Sequence, residues 1–267
     1  MKICLLTGCA SGIGRHLTGV LLREGYSVAA TDVAISQLHQ AARTDHWPAD
    51  RTLLLPLNVR SETDWQYVIR QTLDRWQRID IGLNIAGVIR PGYVATITQE
   101  DIDFMVDVNL KGVMLGTRYL AELMIRQQTG HIINIASLAG LAPVPGLGIY
   151  SATKFAVRAF SLAAAGELRP QGVVVSVICP DLVDTDMLAQ QLGRPEAALS
   201  FSGSRVLTVQ DVERAVLQKA IARRQLEIMI PNSRGWLGKI GNLFPKLGLA
   251  LTNRLIRKGL ARQQQLR

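Results

Sequence analysis

Tyr150 and Lys154 stand four residues apart in GLGIYSATKFA, a stretch otherwise built from small and apolar residues. Positions i and i+4 share one helix face with Cβ atoms about 5–6 Å apart, so the phenol and the ammonium can converge on one point. A free tyrosine, with a pKa of about 10, is a poor base at neutral pH. A cation a few ångströms away is worth about 4 kcal/mol at an effective dielectric of 20. At about 1.4 kcal/mol per unit, that predicts a fall of up to about 3 units. The pair is therefore expected to be tuned for general acid–base catalysis. Taken alone, it also fits a half-buried aromatic beside a solvated lysine.

A second group of residues suits a dinucleotide. In TGCASGIG, residues 7–14, an apolar run meets a helical pattern. Gly8, Gly12 and Gly14 remove side chains where backbone must approach a diphosphate, and a helix N-terminus offers free N–H groups and a positive dipole end. Ser11 and Ile13 lie in the same stretch and are placed with the cofactor contacts. Asp32 follows Gly14 by 18 residues at the end of the next apolar run, near the spacing of an acid that grips a ribose diol. It would repel a 2′-phosphate, and Val33 and Ala34 offer no cation to bind one, so NAD is expected. Arg15 is the residue that argues for NADP.

These residues need a scaffold, and the rest of the chain describes one. Apolar runs (KICLLT, SVAATD, TLLLPL, IGLNIA, HIINIAS, VVVSVIC, LEIMI) alternate with helical patterns near 13–24, 34 onward, 62–76, 102–127, around Tyr150 and 209–222. Runs apolar throughout, rather than alternating, suit strands buried on both faces of a parallel sheet. Strand–helix alternation then predicts a Rossmann-type, doubly wound α/β fold with seven mostly parallel strands and helices on both faces. A closed eight-stranded barrel is the competing architecture. No linker-like or repetitive segment divides the 267 residues, so residues 1–232 are expected to form one dinucleotide-binding and catalytic domain, with 233–267 as an appendage.

Composition narrows the setting. Three cysteines without C-x-x-C spacing and four scattered histidines predict neither disulfides nor a metal site. The N-terminus reads as a first strand rather than a leader, and no apolar run reaches the length of a spanning helix. A cytoplasmic location is expected. Residues 1–222 hold 20 Lys/Arg and 20 Asp/Glu, whereas residues 223–267 hold ten against one acid, Glu227, so the whole net charge of +9 sits in the tail.

Taken together, the motifs resemble those of the short-chain dehydrogenase/reductase family over residues 1–232. Thr7 to Gly14 matches the family's T-G-x-x-x-G-x-G, and NIAG, Asn84 to Gly87, matches N-N-A-G with Ile85 in place of the second Asn. Asn109 in DVNLKG, Ser137 in NIAS, and Tyr150 with Lys154 match the catalytic set. Pro180, Val183 and Thr185 match P-G-x-V-x-T, with Asp181 standing where the family usually has glycine. The resemblance implies that Tyr150 exchanges a proton with substrate, Ser137 orients it, Lys154 also binds the nicotinamide ribose, and Asn109 holds a water in a proton relay. It likewise assigns Asn58, Val59, Asn84, Ala86, Gly87, Pro180, Val183 and Thr185 to the cofactor. Asn58 replaces a common aspartate, and its amide oxygen is expected to accept from the adenine amine.

The resulting expectation is an NAD(H)-dependent oxidoreductase that interconverts a secondary alcohol and a ketone. The LAGLAPVPGLGI loop after Ser137 carries no charge, which suits a lipophilic substrate, steroid-like, retinoid-like or long-chain. An NADP-dependent carbonyl or 3-oxoacyl reductase and a non-catalytic nucleotide-sensing protein are the alternatives. A homodimer or homotetramer is implied by the resemblance, and no nucleic-acid partner is expected.

The tail carries Trp236, Ile240, Leu243, Phe244, Leu247, Leu251 and Leu255 at three- and four-residue steps, with Pro245 suited to start a second helix. Lys239, Lys246, Arg254, Arg257, Lys258 and Arg262 supply cations. A basic amphipathic helix fits peripheral attachment to anionic lipid. The same stripe also fits a cover for the substrate cleft or for a neighbouring subunit.

Overall fold

The apolar runs become strands because helices cover both of their faces. A computed structural model describes residues 2–266, the side chain of Leu247 excepted. The strands are β1 (Ile3–Thr7), β2 (Ser27–Asp32), β3 (Thr52–Pro56), β4 (Ile81–Asn84), β5 (Gly130–Ile135), β6 (Val173–Pro180) and β7 (Glu227–Ile230). They form one sheet in the order β3-β2-β1-β4-β5-β6-β7, and every pairing is parallel. The helices are α1 (Gly12–Arg23), α2 (Ile35–Thr44), α3 (Glu62–Trp76), α4 (Gln99–Val106), α5 (Gly112–Arg126), α6 (Gly148–Leu168), α7 (Asp186–Ala189), α8 (Val209–Arg214), α9 (Asn232–Leu243) and α10 (Pro245–Gln265).

Alternation along each strand divides the core in two. Cys4 and Leu6 of β1 pack with Leu17 and Leu21 of α1 and Leu38 of α2, while Leu5, between them, packs with Trp65 of α3 and Leu120 and Met124 of α5. Buried side chains on both faces leave no solvated side to the sheet, which is the arrangement of a doubly wound fold. The strand order reverses between β1 and β4, and the crevice there, outside the carboxyl ends of the strands, is where such folds bind ligands. Gly8, Asp32, Asn84, Ser137 and Pro180 all fall at those ends.

The helical stretch expected over 102–127 is broken by a π-helical turn, Asp107–Lys111, which carries Asn109. Such turns appear as single insertions and are frequent at functional sites. The stretch expected over 209–222 likewise passes from α8 into a π-helical turn, Ala215–Ile221. Pro245 does begin a second tail helix, at its first turn. Leu247, part of the apolar stripe, has its side chain outside the described residues.

Candidate active site

The glycine loop is shaped by close approach. Gly8 has φ +73°, and a Cβ there would lie 3.0 Å from Ala86 Cα; a Cβ on Gly14 would lie 2.0 Å from the Gly8 carbonyl. Only glycine fits either position. Thr7 Oγ1 accepts from the amides of Ile85 (2.9 Å) and Ala86 (3.1 Å), tying the 84–87 turn to the loop. Ser11 caps α1 without a side-chain bond, so the amides of the first turn stay available to an anion. Asp32 steadies the other side: one carboxylate oxygen accepts from Ala10 N and the other from Ala34 N, both at 2.9 Å. An open cradle, a bare helix N-terminus and an acid at the end of β2 fit a dinucleotide.

This loop is one end of a cavity of about 970 Å³. Gly8, Ser11, Gly12, Ile13, Gly14 and Asp32 line it, as do Asn58, Val59, Ala86 and Gly87. Ser137, Tyr150, Lys154, Pro180, Val183 and Thr185 line it too, Thr185 lying against Gly12. Asn84 and Asn109 do not. Asn84 points beneath the cavity, where its amide donates to Asn134 (2.8 Å) and Thr117 (3.3 Å) inside the sheet core. Those bonds tie the end of β4 to β5 and α5. Asn109 is fully buried and clasps Val88 on both sides: its oxygen accepts from Val88 N at 2.7 Å and its amide donates to Val88 O at 2.9 Å. That clasp occupies the side chain expected to hold a water. The amide oxygen of Asn58 is likewise taken, by the backbone N and Nε of Arg60, both at 3.2 Å.

Tyr150 and Lys154 share the inward face of α6 and are 9% and 4% exposed. The lysine does not meet the phenol oxygen. Its Nζ donates to Ile135 O at 3.0 Å and lies 5.7 Å from the centre of the Tyr150 ring. The expected depression of the tyrosine is therefore overturned: burial pushes Tyr150 up to about 12, against a partial lowering by the Ser137 hydroxyl. Burial likewise lowers Lys154 to about 8. Removing both charged forms from water outweighs what either gains from the other at this separation. The phenol keeps its proton at neutral pH in this state. Ser137 Oγ accepts from Ala139 N (3.1 Å) and donates to Pro180 O (3.4 Å), which fixes its rotamer at the end of β5.

Sequence reasoning named Arg15 without its partner. Nε and Nη2 of Arg15 donate to the two carboxylate oxygens of Asp45 at 2.7 and 2.6 Å. It also noted Asp181 only as a departure from glycine. The carboxylate pairs with Arg234 of α9 at 2.8 Å, and Arg234 also donates to Ser202 Oγ at 3.1 Å. Of the readings open for the tail, the structure supports a cover for the cleft, and it adds Leu237 and Leu249 to the residues named from spacing. Leu237, Ile240, Leu249, Leu251 and Leu255 wall the end of the cavity away from the glycine loop, so the appendage covers the cleft. The helical spacing of these residues was the available signal, but it could not say what the stripe meets. Among the described residues no group of three or more His, Cys, Asp or Glu could hold a metal ion.

Comparison with known proteins bears on the family and the fold. A family model described as short chain dehydrogenase matches residues 2–195. The 3-oxoacyl-[acyl-carrier-protein] reductase of Thermotoga maritima is 31% identical over 205 residues, which cover 77% of this chain and 82% of that protein. The cyclopentanol dehydrogenase of a Comamonas species is 32% identical over 206 residues, with the same coverage of 77% and 82%. Among solved structures, a short chain dehydrogenase/reductase from Burkholderia phymatum in complex with NAD superposes with a TM-score of 0.82 at 26% identity, covering 92% of this chain and 95% of that one.

Proposed function

The chain belongs to the short-chain dehydrogenase family of oxidoreductases, and from that premise we propose that it interconverts a lipophilic secondary alcohol and its ketone with NAD(H). One observation carries the reading. Ser137, Tyr150 and Lys154 converge on the wall of a single cavity that runs from the glycine loop to an apolar end.

The roles follow from the contacts. Gly8–Gly14 and the N-terminus of α1 would hold the diphosphate, and Asp32 the adenine ribose. A nicotinamide bound beyond them supplies or accepts the hydride. In the reducing direction Tyr150, protonated because it is buried, gives its proton to the oxygen that takes on charge; in the oxidising direction it takes that proton back. Ser137, its hydroxyl held by Ala139 and Pro180, orients the same oxygen. Lys154, its ammonium beside the Tyr150 ring, would stabilise the phenolate by its charge and donate to a ribose hydroxyl. Asn109 acts at one remove, since its clasp on Val88 fixes the floor of the cavity.

Two pairings support the finer points. Arg15 is engaged by Asp45, which leaves the acid Asp32 as the group that meets the adenosine ribose and favours NAD over NADP. At the substrate end the cations are also engaged, Arg90 with Asp101 at 3.4 Å and Arg234 with Asp181. The surroundings are Leu138, Val144, Leu147, Leu182, Met187 and Leu188, which suit an apolar molecule and offer little to a carboxylate.

The test is a panel of hydrophobic alcohols and ketones followed through NADH absorbance. Tyr150→Phe is expected to lose turnover by about 10²–10⁴-fold while still binding NADH. Retained turnover, or a wild-type preference for a small anionic metabolite, would overturn the assignment.

A further inference from the structure

The tail covers the cavity and yet leaves a large apolar surface of its own. Trp236, Leu237, Ile240, Leu243, Phe244 and Leu249 are 50–73% exposed. Trp236, Ile240 and Leu243 share one face of α9 by their spacing, Phe244 follows at its end, and Pro245 begins α10. Leu237, Ile240 and Leu249 also line the cavity. An exposed residue that lines a cavity stands at its mouth, so this surface is the rim of the opening. Exposed apolar patches of this kind mark interaction sites.

The charge beside the rim is of one sign. Residues 228–267 contain eight Lys/Arg and no Asp or Glu. Three of these cations have partners in the body: Arg234 with Asp181, Lys239 with Glu227, and Arg262 with the Gly203 carbonyl. Lys246, Arg254, Arg257 and Lys258 are exposed, while α10 buries Gly259 and Gln263 against the body. A second copy of the chain suits this surface poorly. A two-fold contact uses the same patch on both subunits, so it would set these cations against themselves with no acid in the segment to answer them.

We propose that the α9–α10 segment docks the protein on an anionic lipid surface, with the apolar rim among the upper acyl chains and the cations against the headgroups. The mouth of the cavity then opens onto the bilayer. No described helix is long and apolar enough to cross a membrane, so the attachment is peripheral. This deepens the lipophilic-substrate reading, but binding is measured without turnover, so either can fail alone.

Full-length protein is sedimented with phosphatidylglycerol-containing vesicles and with phosphatidylcholine vesicles, at low and at high salt. The part of the tryptophan emission that Trp236→Phe removes reports insertion, since the chain holds four tryptophans. The expected result is retention on the anionic vesicles only, weakened by salt, with a blue shift. Each of Lys246→Gln, Arg254→Gln, Arg257→Gln and Lys258→Gln is expected to weaken binding about five-fold. Leu243→Glu with Phe244→Glu, neither of which lines the cavity, is expected to abolish retention and leave turnover of a small water-soluble alcohol unchanged. Absence of binding to anionic vesicles at low salt overturns the proposal. So does binding undiminished by the Leu243/Phe244 double variant, which would be charge adsorption alone. So too does a wild-type oligomer that ignores vesicles and is split by that variant, which would assign the face to a second copy.

Discussion

Asp181 at the end of β6 holds Arg234 of α9 at 2.8 Å, so the strand beside the candidate catalytic residues grips the helices that close the cavity. The carboxylate side chain is only 10% exposed, and burial raises its pKa even with the guanidinium beside it. Removing one partner of such a pair leaves a desolvated charge behind. Arg234→Ala is expected to cost about 2–3 kcal/mol and to raise KM for long substrates more than it lowers kcat. Asp181→Gly is expected to cost less, because the guanidinium left behind is 28% exposed and can be rehydrated. A double-mutant cycle by urea denaturation should return a favourable coupling energy; a coupling of zero would remove the pair from this role.

Lys154 is held at a cost that pH can reveal. Burial lowers it from its ordinary 10.5 to about 8. Between those values the unfolded chain carries the proton and the folded chain does not, so stability rises with pH across that window and the full penalty is felt below about pH 8. The shift corresponds to about 3 kcal/mol, part of which the bond to Ile135 O offsets. Lys154→Met is therefore expected to stabilise the protein by about 1–2 kcal/mol at neutral pH while abolishing turnover. Thermal melts from neutral to alkaline pH should show that advantage shrinking above about pH 8 and gone near 10.

Cofactor preference is expected to respond to a residue that never touches the cofactor. Asp45→Ala releases Arg15, whose guanidinium is otherwise held by two bonds to that carboxylate. One charged hydrogen bond to a 2′-phosphate is worth about 1.5–3 kcal/mol, so kcat/KM with NADP should rise by about ten-fold relative to NAD. Asp32→Ala should chiefly weaken NAD. An Asp45→Ala enzyme with an unaltered NADP/NAD ratio would show that Arg15 does not reach the ribose.

Glycines in the loop and in α6 should answer in opposite ways. Gly14→Ala drives a methyl to within 2.0 Å of the Gly8 carbonyl and is expected to abolish NADH binding in a fluorescence titration. Gly166 sits within α6 with nothing within 4 Å of its missing Cβ. There the helical preference for alanine should add about 0.5–1 kcal/mol, read as a raised midpoint of denaturation.

The sheet and its crossovers were legible because their signal is local. An apolar run such as Ile3–Thr7 must be covered on both faces, and the amphipathic period of Glu62–Trp76 returned that helix to the residue. The glycine loop was legible too, since the absence of side chains at Gly8, Gly12 and Gly14 is itself the feature that backbone approach requires. Tyr150, Lys154 and Ser137 could be named from spacing and motif, and the fold brings all three to one wall.

Other matters depended on distances between residues far apart in the chain. Whether Asn84 faces a ligand or the core was decided by Asn134, fifty residues away, which takes its amide. The sign of the Tyr150 shift was decided by how deeply α6 is buried and by the Ile135 carbonyl that draws Lys154 aside. The tail's composition determined that it would be helical, apolar along one stripe and basic. Composition could not say that Arg234 finds Asp181, or that Leu237 and Ile240 stand at the mouth of the cavity. Desolvation and ion pairing depend on what surrounds a group within a few ångströms, and only the tertiary structure sets those surroundings.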